Sequence, residues 1–330
     1  MNTGPKIGVV GGGAWGTALA NVAAAAGNDT VLWMRETDLA EEMIRTGRNE
    51  RYLPGVALDS RVFPTNEMTR LNDASAILVV TPSQTIREVV RELAATLTGP
   101  VPLILCAKGI EQQSGQFLYE VARGEWPEVS IAVLSGPSFA EDVVRGLPTA
   151  VTLACEDGEL AGRLALQLSG GSFRIYHSED VRSVEIGGAA KNVFAIACGA
   201  VIGRGLGESA KAALMARGFA ELMRFADAYG GRPHTLMGLS GLGDMVLTCS
   251  SARSRNFAFG ERLGKGASLE EAAGGKLTEG VFTAGILVRM AQERGVDMPI
   301  ATTVDAVLRQ KLSIDEAVDL LMNRPLKREN

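Results

Sequence analysis

Four short stretches of this 330-residue chain pair small residues with groups that could bind an anion or move a proton. The first is Gly11, Gly13 and Gly16, a G-x-G-x-x-G spacing between an apolar run at 6–10 and a helical run at 17–26. It suits a dinucleotide pyrophosphate. The first glycine permits a tight turn, the second lets backbone approach the phosphates, the third lets helix and strand pack closely, and the helix N-terminus faces the anion. Ala14 and Trp15 lie inside the turn and offer backbone amides. The second and third stretches, Cys106-Ala107-Lys108-Gly109-Ile110 and Ser135-Gly136-Pro137-Ser138-Phe139-Ala140, each follow an apolar run. Ligands of open α/β sheets bind beyond the carboxyl ends of the strands, which aims both stretches at a nicotinamide ring. The fourth, Gly188-Ala189-Ala190-Lys191-Asn192, puts an amine among small and apolar residues on a helical run, so Lys191 is expected to be buried.

The end of the second strand selects the cofactor. An acidic residue there binds the free 2′-hydroxyl of NAD, and an arginine accepts the 2′-phosphate of NADP. Here Val31 to Met34 runs into Arg35, with Glu36 next, so NADP is favoured and NAD stays open. The plainer reading of Arg35 is a solvated loop charge.

The elements that must carry these residues follow from periodicity. Apolar runs at 6–10, 30–34, 76–80, 102–106, 131–134, 149–154 and 172–176 read as strands, with helices at 17–26, 84–97 and 158–168. Such alternation predicts a mainly parallel sheet covered by helices on both faces. After Asp180 the strand signal ends and a period near 3.6 takes over. The expected architecture is an α/β dinucleotide-binding domain over 1–180 followed by an all-α domain over 181–330 that binds substrate. In the latter, Arg217 and Glu221 stand four residues apart and read as a helical ion pair outside the site.

Composition narrows the function classes. Hydrophobic residues make up 46% of the chain, enough for ordinary cores. A formal net charge of −5, with no long basic run, argues against nucleic-acid binding. The N-terminal apolar run is broken by glycines, unlike a signal peptide, and no stretch reads as a membrane span, so a cytoplasmic location is expected. Cys106, Cys155, Cys198 and Cys249 are too far apart for a local metal-ligand pair, and with two histidines, His177 and His234, no metal site is expected.

Eight stretches in order, VGGGAWGT from Val10, AKGI from Ala107, SGPSFA from Ser135, GLPT from Gly146, GGAAKNVF from Gly187, LSGLGDMVLTC from Leu239, SRN from Ser254 and TEG from Thr278, resemble the bacterial NAD(P)-dependent glycerol-3-phosphate dehydrogenase family over essentially the whole chain. One departure is minor: Ala14-Trp15 stands where members often carry a serine and an aromatic residue. The resemblance implies a Rossmann-like domain and a helical domain, a homodimer, and reduction of dihydroxyacetone phosphate to supply glycerol 3-phosphate for phospholipid synthesis. By position it implies that Lys191 is the catalytic acid/base and that Lys108 touches both substrate and cofactor. It places Gly136, Ser138 and Asp244 at the substrate, and Ala140, Arg255, Leu277 and Glu279 at the cofactor. Ser254, Arg255 and Asn256 match a motif that also contacts substrate. Their hydroxyl, guanidinium fork and amide, at an expected helix N-terminus, suit a phosphate. Asp244 could equally be a helix N-cap. The competing readings are a β-hydroxyacid dehydrogenase of the same layout, a nucleotide-sensing protein without turnover, and a dehydrogenase using His177 or His234 as base.

Overall fold

The computed structural model describes residues 6–275 and 278–325. The chain divides into two compact units, Met1–Glu111 with Gln116–Glu185, and Gln112–Gly115 with Ile186–Asn330.

The first unit is built on one sheet of eight strands: β1 (Lys6–Val10), β2 (Asp29–Trp33), β3 (Val62–Thr65), β4 (Ala76–Val79), β5 (Leu103–Leu105), β6 (Ile131–Ser135), β7 (Thr149–Cys155) and β8 (Phe173–Ser178). Their spatial order is β3-β2-β1-β4-β5-β6-β7-β8, parallel throughout except between β6 and β7. Helices α1 (Ala14–Ala25), α2 (Thr37–Thr46), α3 (Ile86–Thr96), α4 (Leu118–Glu125), α5 (Ala140–Val144) and α6 (Gly158–Leu168) join them. Central strands β4, β5 and β6 are buried at every residue, which is why each shows in the sequence as a solid apolar run instead of an alternation. Two apolar clusters form the core, one with Leu19, Leu39 and Leu164, the other with Ile86, Leu93 and Val121.

Strand β3 is not foreseen by apolar patterning. Its four residues include Pro64 and the exposed Phe63, and it pairs only with β2 at the sheet edge, where a proline is tolerated. From β1 the chain steps out to β2 and β3, then returns to lay β4 on the other side of β1. That reversal opens a crevice at the strands' carboxyl ends, the place where sheets of this kind take ligands. The glycine turn after β1 stands there.

The second unit is helical. It holds α7 (Val181–Gly203) from Ile186 onward, α8 (Gly207–Ala228), α9 (Pro233–Leu236), a π-helical turn at Leu239–Gly243, α10 (Asp244–Cys249), α11 (Arg255–Gly264), α12 (Leu269–Ala273), α13 (Glu279–Glu293), α14 (Pro299–Leu308) and α15 (Ile314–Met322). By length and composition α7 could cross a bilayer, but its most apolar window is mostly buried in the protein, as in a core helix.

Small residues let α7 meet its neighbours backbone to backbone. A Cβ on Gly199 would stand 2.0 Å from the Phe257 carbonyl oxygen of α11, and one on Gly260 would stand 2.0 Å from that of Ile196. The contact brings the N-terminus of α11 against the middle of α7. Glu221 of α8, expected to pair along its helix with Arg217, turns instead to the N-terminus of α14. Its two oxygens accept from the backbone amides of Ile300 (2.7 Å) and Ala301 (3.2 Å), capping that helix from outside. Burial pushes its carboxyl up to about 7, opposed by these two hydrogen bonds.

Candidate active site

In the first unit, α1 begins at Ala14, directly after the glycine turn, so the amides of Ala14, Trp15 and Gly16 fall in its first turn, where helical N–H groups have no intrahelical acceptor. Gly16 is required by sterics, since a Cβ there would lie 1.8 Å from the Gly11 carbonyl oxygen. Gly11 has φ +124°, in the region that favours glycine. At Gly13 the flank is open, with nothing within 4 Å of where a Cβ would be. The turn therefore has room for an anion at the helix N-terminus, and the residues present fit a dinucleotide pyrophosphate. Asn49 holds the turn from below: fully buried, it donates to the Gly12 carbonyl (2.7 Å) and to Thr17 Oγ1 (2.8 Å).

Arg35 lies between β2 and α2, at the position expected for a ribose contact. Its guanidinium is paired with two carboxylates of α3, Glu88 at 3.3 Å and Glu92 at 3.2 Å. Farther along the sheet, the carbonyl of Gly136 after β6 accepts from both Lys108 Nζ and Ser138 Oγ, each at 3.1 Å. The second and third stretches thus meet at one oxygen. Gly136 has φ +150°, and a Cβ there would lie 2.9 Å from the Val151 backbone. Ala140 is the first residue of α5, two residues beyond Ser138.

In the second unit, Lys191 sits in α7 with only 6% of its surface exposed. Its Nζ donates to Asp244 Oδ1 at 2.5 Å and to Thr248 Oγ1 at 2.8 Å. Asp244 and Thr248, one turn apart on α10, are buried as well. Asp244 opens α10, but its N-cap is Gly243, and the carboxylate faces Lys191 instead of the helix amides. The approach of α10 depends on Gly187, where a Cβ would lie 2.5 Å from the Ser240 carbonyl oxygen.

Ser254 is the N-cap of α11, accepting from the Phe257 amide at 3.3 Å, so Ser254-Arg255-Asn256 does stand at a helix N-terminus. Asn256 is buried. It donates to Asn192 Oδ1 (2.9 Å) and accepts from the Gly280 amide (2.9 Å), tying α7, α11 and α13 together next to Lys191. Arg255, by contrast, is exposed and has no ion pair among the described residues. Glu279 is the first residue of α13, and Leu277 lies outside the described residues. Among the described residues no three His, Cys, Asp or Glu side chains gather to hold a metal, and all four cysteines are buried thiols.

Two residues of this geometry, Asn49 and Thr248, were not singled out in the sequence, and Asn192 stood in the fourth stretch with no role given to it. Thr248 carried a readable signal, its i+4 spacing from Asp244 on a helical run. Asn49 carried none, because its partners lie 37 and 32 residues away.

Family models of the N-terminus and C-terminus of NAD-dependent glycerol-3-phosphate dehydrogenase match residues 6–161 and 180–319. A glycerol-3-phosphate dehydrogenase [NAD(P)+] of Methylobacterium radiotolerans is 57% identical over 330 residues, covering 100% of this chain and 99% of its own length. One from Azorhizobium caulinodans is 56% identical over 329 residues, covering 100% of both. The crystal structure of glycerol-3-phosphate dehydrogenase from Coxiella burnetii superposes with a TM-score of 0.92 at 37% identity, covering 97% of this chain and 99% of that one.

Proposed function

Because the chain belongs to the NAD-dependent glycerol-3-phosphate dehydrogenase family and is an NAD(P)-dependent oxidoreductase of glycerol 3-phosphate, we propose that Lys191 is its proton-transfer group, set by Asp244 and Thr248. The observation that carries this reading is the buried Lys191–Asp244 contact. A buried amine and a buried carboxylate are each costly alone, and together they hold the Nζ at one fixed point with its donors directed. A bound nicotinamide supplies or takes the hydride at its C4. In the reducing direction Lys191, as the ammonium, donates to the C2 oxygen of dihydroxyacetone phosphate; in the oxidising direction the neutral amine accepts that proton. Thr248 steadies the Nζ.

Arg255, exposed at the N-terminus of α11, takes an anionic group of substrate or cofactor, with Ser254 and Asn256 fixing the helix end that presents it. Lys108 and Ser138, converging on the Gly136 carbonyl, line the substrate, and Lys108 also reaches cofactor. The amides of Gly13, Ala14, Trp15 and Gly16 receive the pyrophosphate, Ala140, Leu277 and Glu279 join the cofactor contacts, and Arg35 receives the 2′-phosphate of NADP. The product serves phospholipid synthesis from a cytoplasmic pool, and the enzyme works as a homodimer. The test is oxidation of NADPH with dihydroxyacetone phosphate, repeated with NADH and with 2-oxo acids. Turnover confined to the 2-oxo acids would overturn the substrate assignment.

A further inference from the structure

Arg35 stands where a strand-end residue meets the adenosine ribose, and it does not stand alone. Glu88 and Glu92, an i,i+4 pair on one face of α3, both reach its guanidinium, at 3.3 and 3.2 Å. No regularity of the glycine turn requires them there, since they come from the helix after β4, not from the strand end. One spot thus holds both kinds of recognition group. It has the arginine that suits a 2′-phosphate and carboxylates of the kind that accept from a free 2′-hydroxyl.

We propose that Glu88 and Glu92 are specificity-determining residues that hold down the enzyme's preference for NADPH over NADH by acting as counter-ions of Arg35. The proposal rests on the reading of Arg35 as the 2′-phosphate contact.

The charge balance supports it. One guanidinium and two carboxylates sum to −1 before any ligand binds. A phosphate monoester brings about −1.5 to −2 more near neutral pH. To form its fork of hydrogen bonds with Arg35, that phosphate must displace one or both carboxylates, which remain tethered to α3 a few ångströms away and repel it. The 2′-hydroxyl of NADH is neutral, so it binds without breaking either ion pair. All three side chains are substantially exposed, 56% for Arg35, 65% for Glu88 and 43% for Glu92, so the repulsion is screened by salt.

The experiment compares kcat/KM for NADPH and NADH in the wild type, Arg35→Ala, Glu88→Gln, Glu92→Gln and Glu88→Gln/Glu92→Gln, at low and high ionic strength. The double Gln variant is expected to raise the NADPH/NADH ratio roughly tenfold at low salt, from the Coulomb interaction of two carboxylates with a phosphate across solvent, and less at high salt. Each single variant should raise it part of the way, and Arg35→Ala should lower it. A ratio lowered by Arg35→Ala but within twofold of wild type in the double Gln variant would overturn the counter-ion role and leave the Arg35 contact standing. A ratio unchanged by Arg35→Ala would overturn the Arg35 contact itself. If the Gln variants still moved the ratio in that case, the carboxylates would act on the ribose directly, and the counter-ion account would again be wrong. Thermal unfolding of each variant separates loss of fold from change of preference.

Discussion

Lys191 Nζ lies 2.5 Å from Asp244 Oδ1, and the two side chains, 53 residues apart in sequence, are both buried. The contact makes the residue proposed for proton transfer also a structural one. Replacing it therefore has two separable consequences.

Lys191→Met removes the transferable proton and should lower kcat by about 10²–10⁴-fold. It also takes the ammonium away from the buried Asp244 carboxylate, and breaking a buried ion pair by removing one partner costs about 3–5 kcal/mol of stability. Lys191→Met/Asp244→Asn should recover much of that stability and none of the activity. Denaturant unfolding and single-turnover hydride transfer check the two parts. Hydride transfer in Lys191→Met close to the wild-type rate would show that another group moves the proton.

Thr248→Val keeps the side-chain shape and deletes the acceptor for Lys191 Nζ. A hydrogen bond to a charged group contributes about 1.5–3 kcal/mol, so a loss of roughly tenfold to hundredfold in kcat is expected, with little change in the KM for NADPH. A rise in KM with kcat intact would assign Thr248 to ligand binding instead of to Lys191.

The glycines of the turn should fail differently. Gly16→Ala places a Cβ 1.8 Å from a backbone oxygen and should lower the melting temperature, since overpacking of this kind costs about 1–3 kcal/mol or more. Gly13→Ala meets no protein atom, so the fold should survive while the KM for NADPH and NADH rises by roughly tenfold or more as the methyl group enters the path of the pyrophosphate. Unaltered cofactor affinity in Gly13→Ala would place the pyrophosphate elsewhere.

Glu221 predicts a pH dependence of stability. Its folded-state pKa, raised to about 7 from an ordinary 4.5, means that the folded protein holds a proton the unfolded chain has lost between those values. The contribution to stability is fully present below pH 4.5 and is lost as pH rises through 7. In Glu221→Gln that loss is absent. The stability of the variant relative to wild type should therefore improve by about 3 kcal/mol between pH 4.5 and pH 8, the free-energy equivalent of the shift. Parallel urea titrations measure it, and a pH-independent difference would show that Glu221 is ionised across the range in the folded state.

The sequence by itself determined whatever depends on neighbours a few residues apart. The steric demands of a strand-turn-helix appear as Gly11, Gly13 and Gly16. Strands buried on both faces appear as solid apolar runs, and the small-residue surround of Lys191 announced its burial. Motif order over the full length carried the family. Tertiary structure alone decided which distant groups meet. Asp244 and Thr248 reach Lys191 because Gly187 lets the π-helical turn lie against α7, and Asn256 reaches Asn192 because Gly199 and Gly260 let two helices touch at the backbone. Glu88, Glu92 and Glu221 look in sequence like ordinary charges on amphipathic helices. Their partners are chosen by where a helix end or a strand end is brought, and no local periodicity records that, because a hydrogen bond or ion pair across the fold constrains only the two residues that make it. Strand β3 was hidden for a related reason. An edge strand with one neighbour is held by backbone hydrogen bonds to β2, which Val62 to Thr65 can make with little apolar patterning of their own.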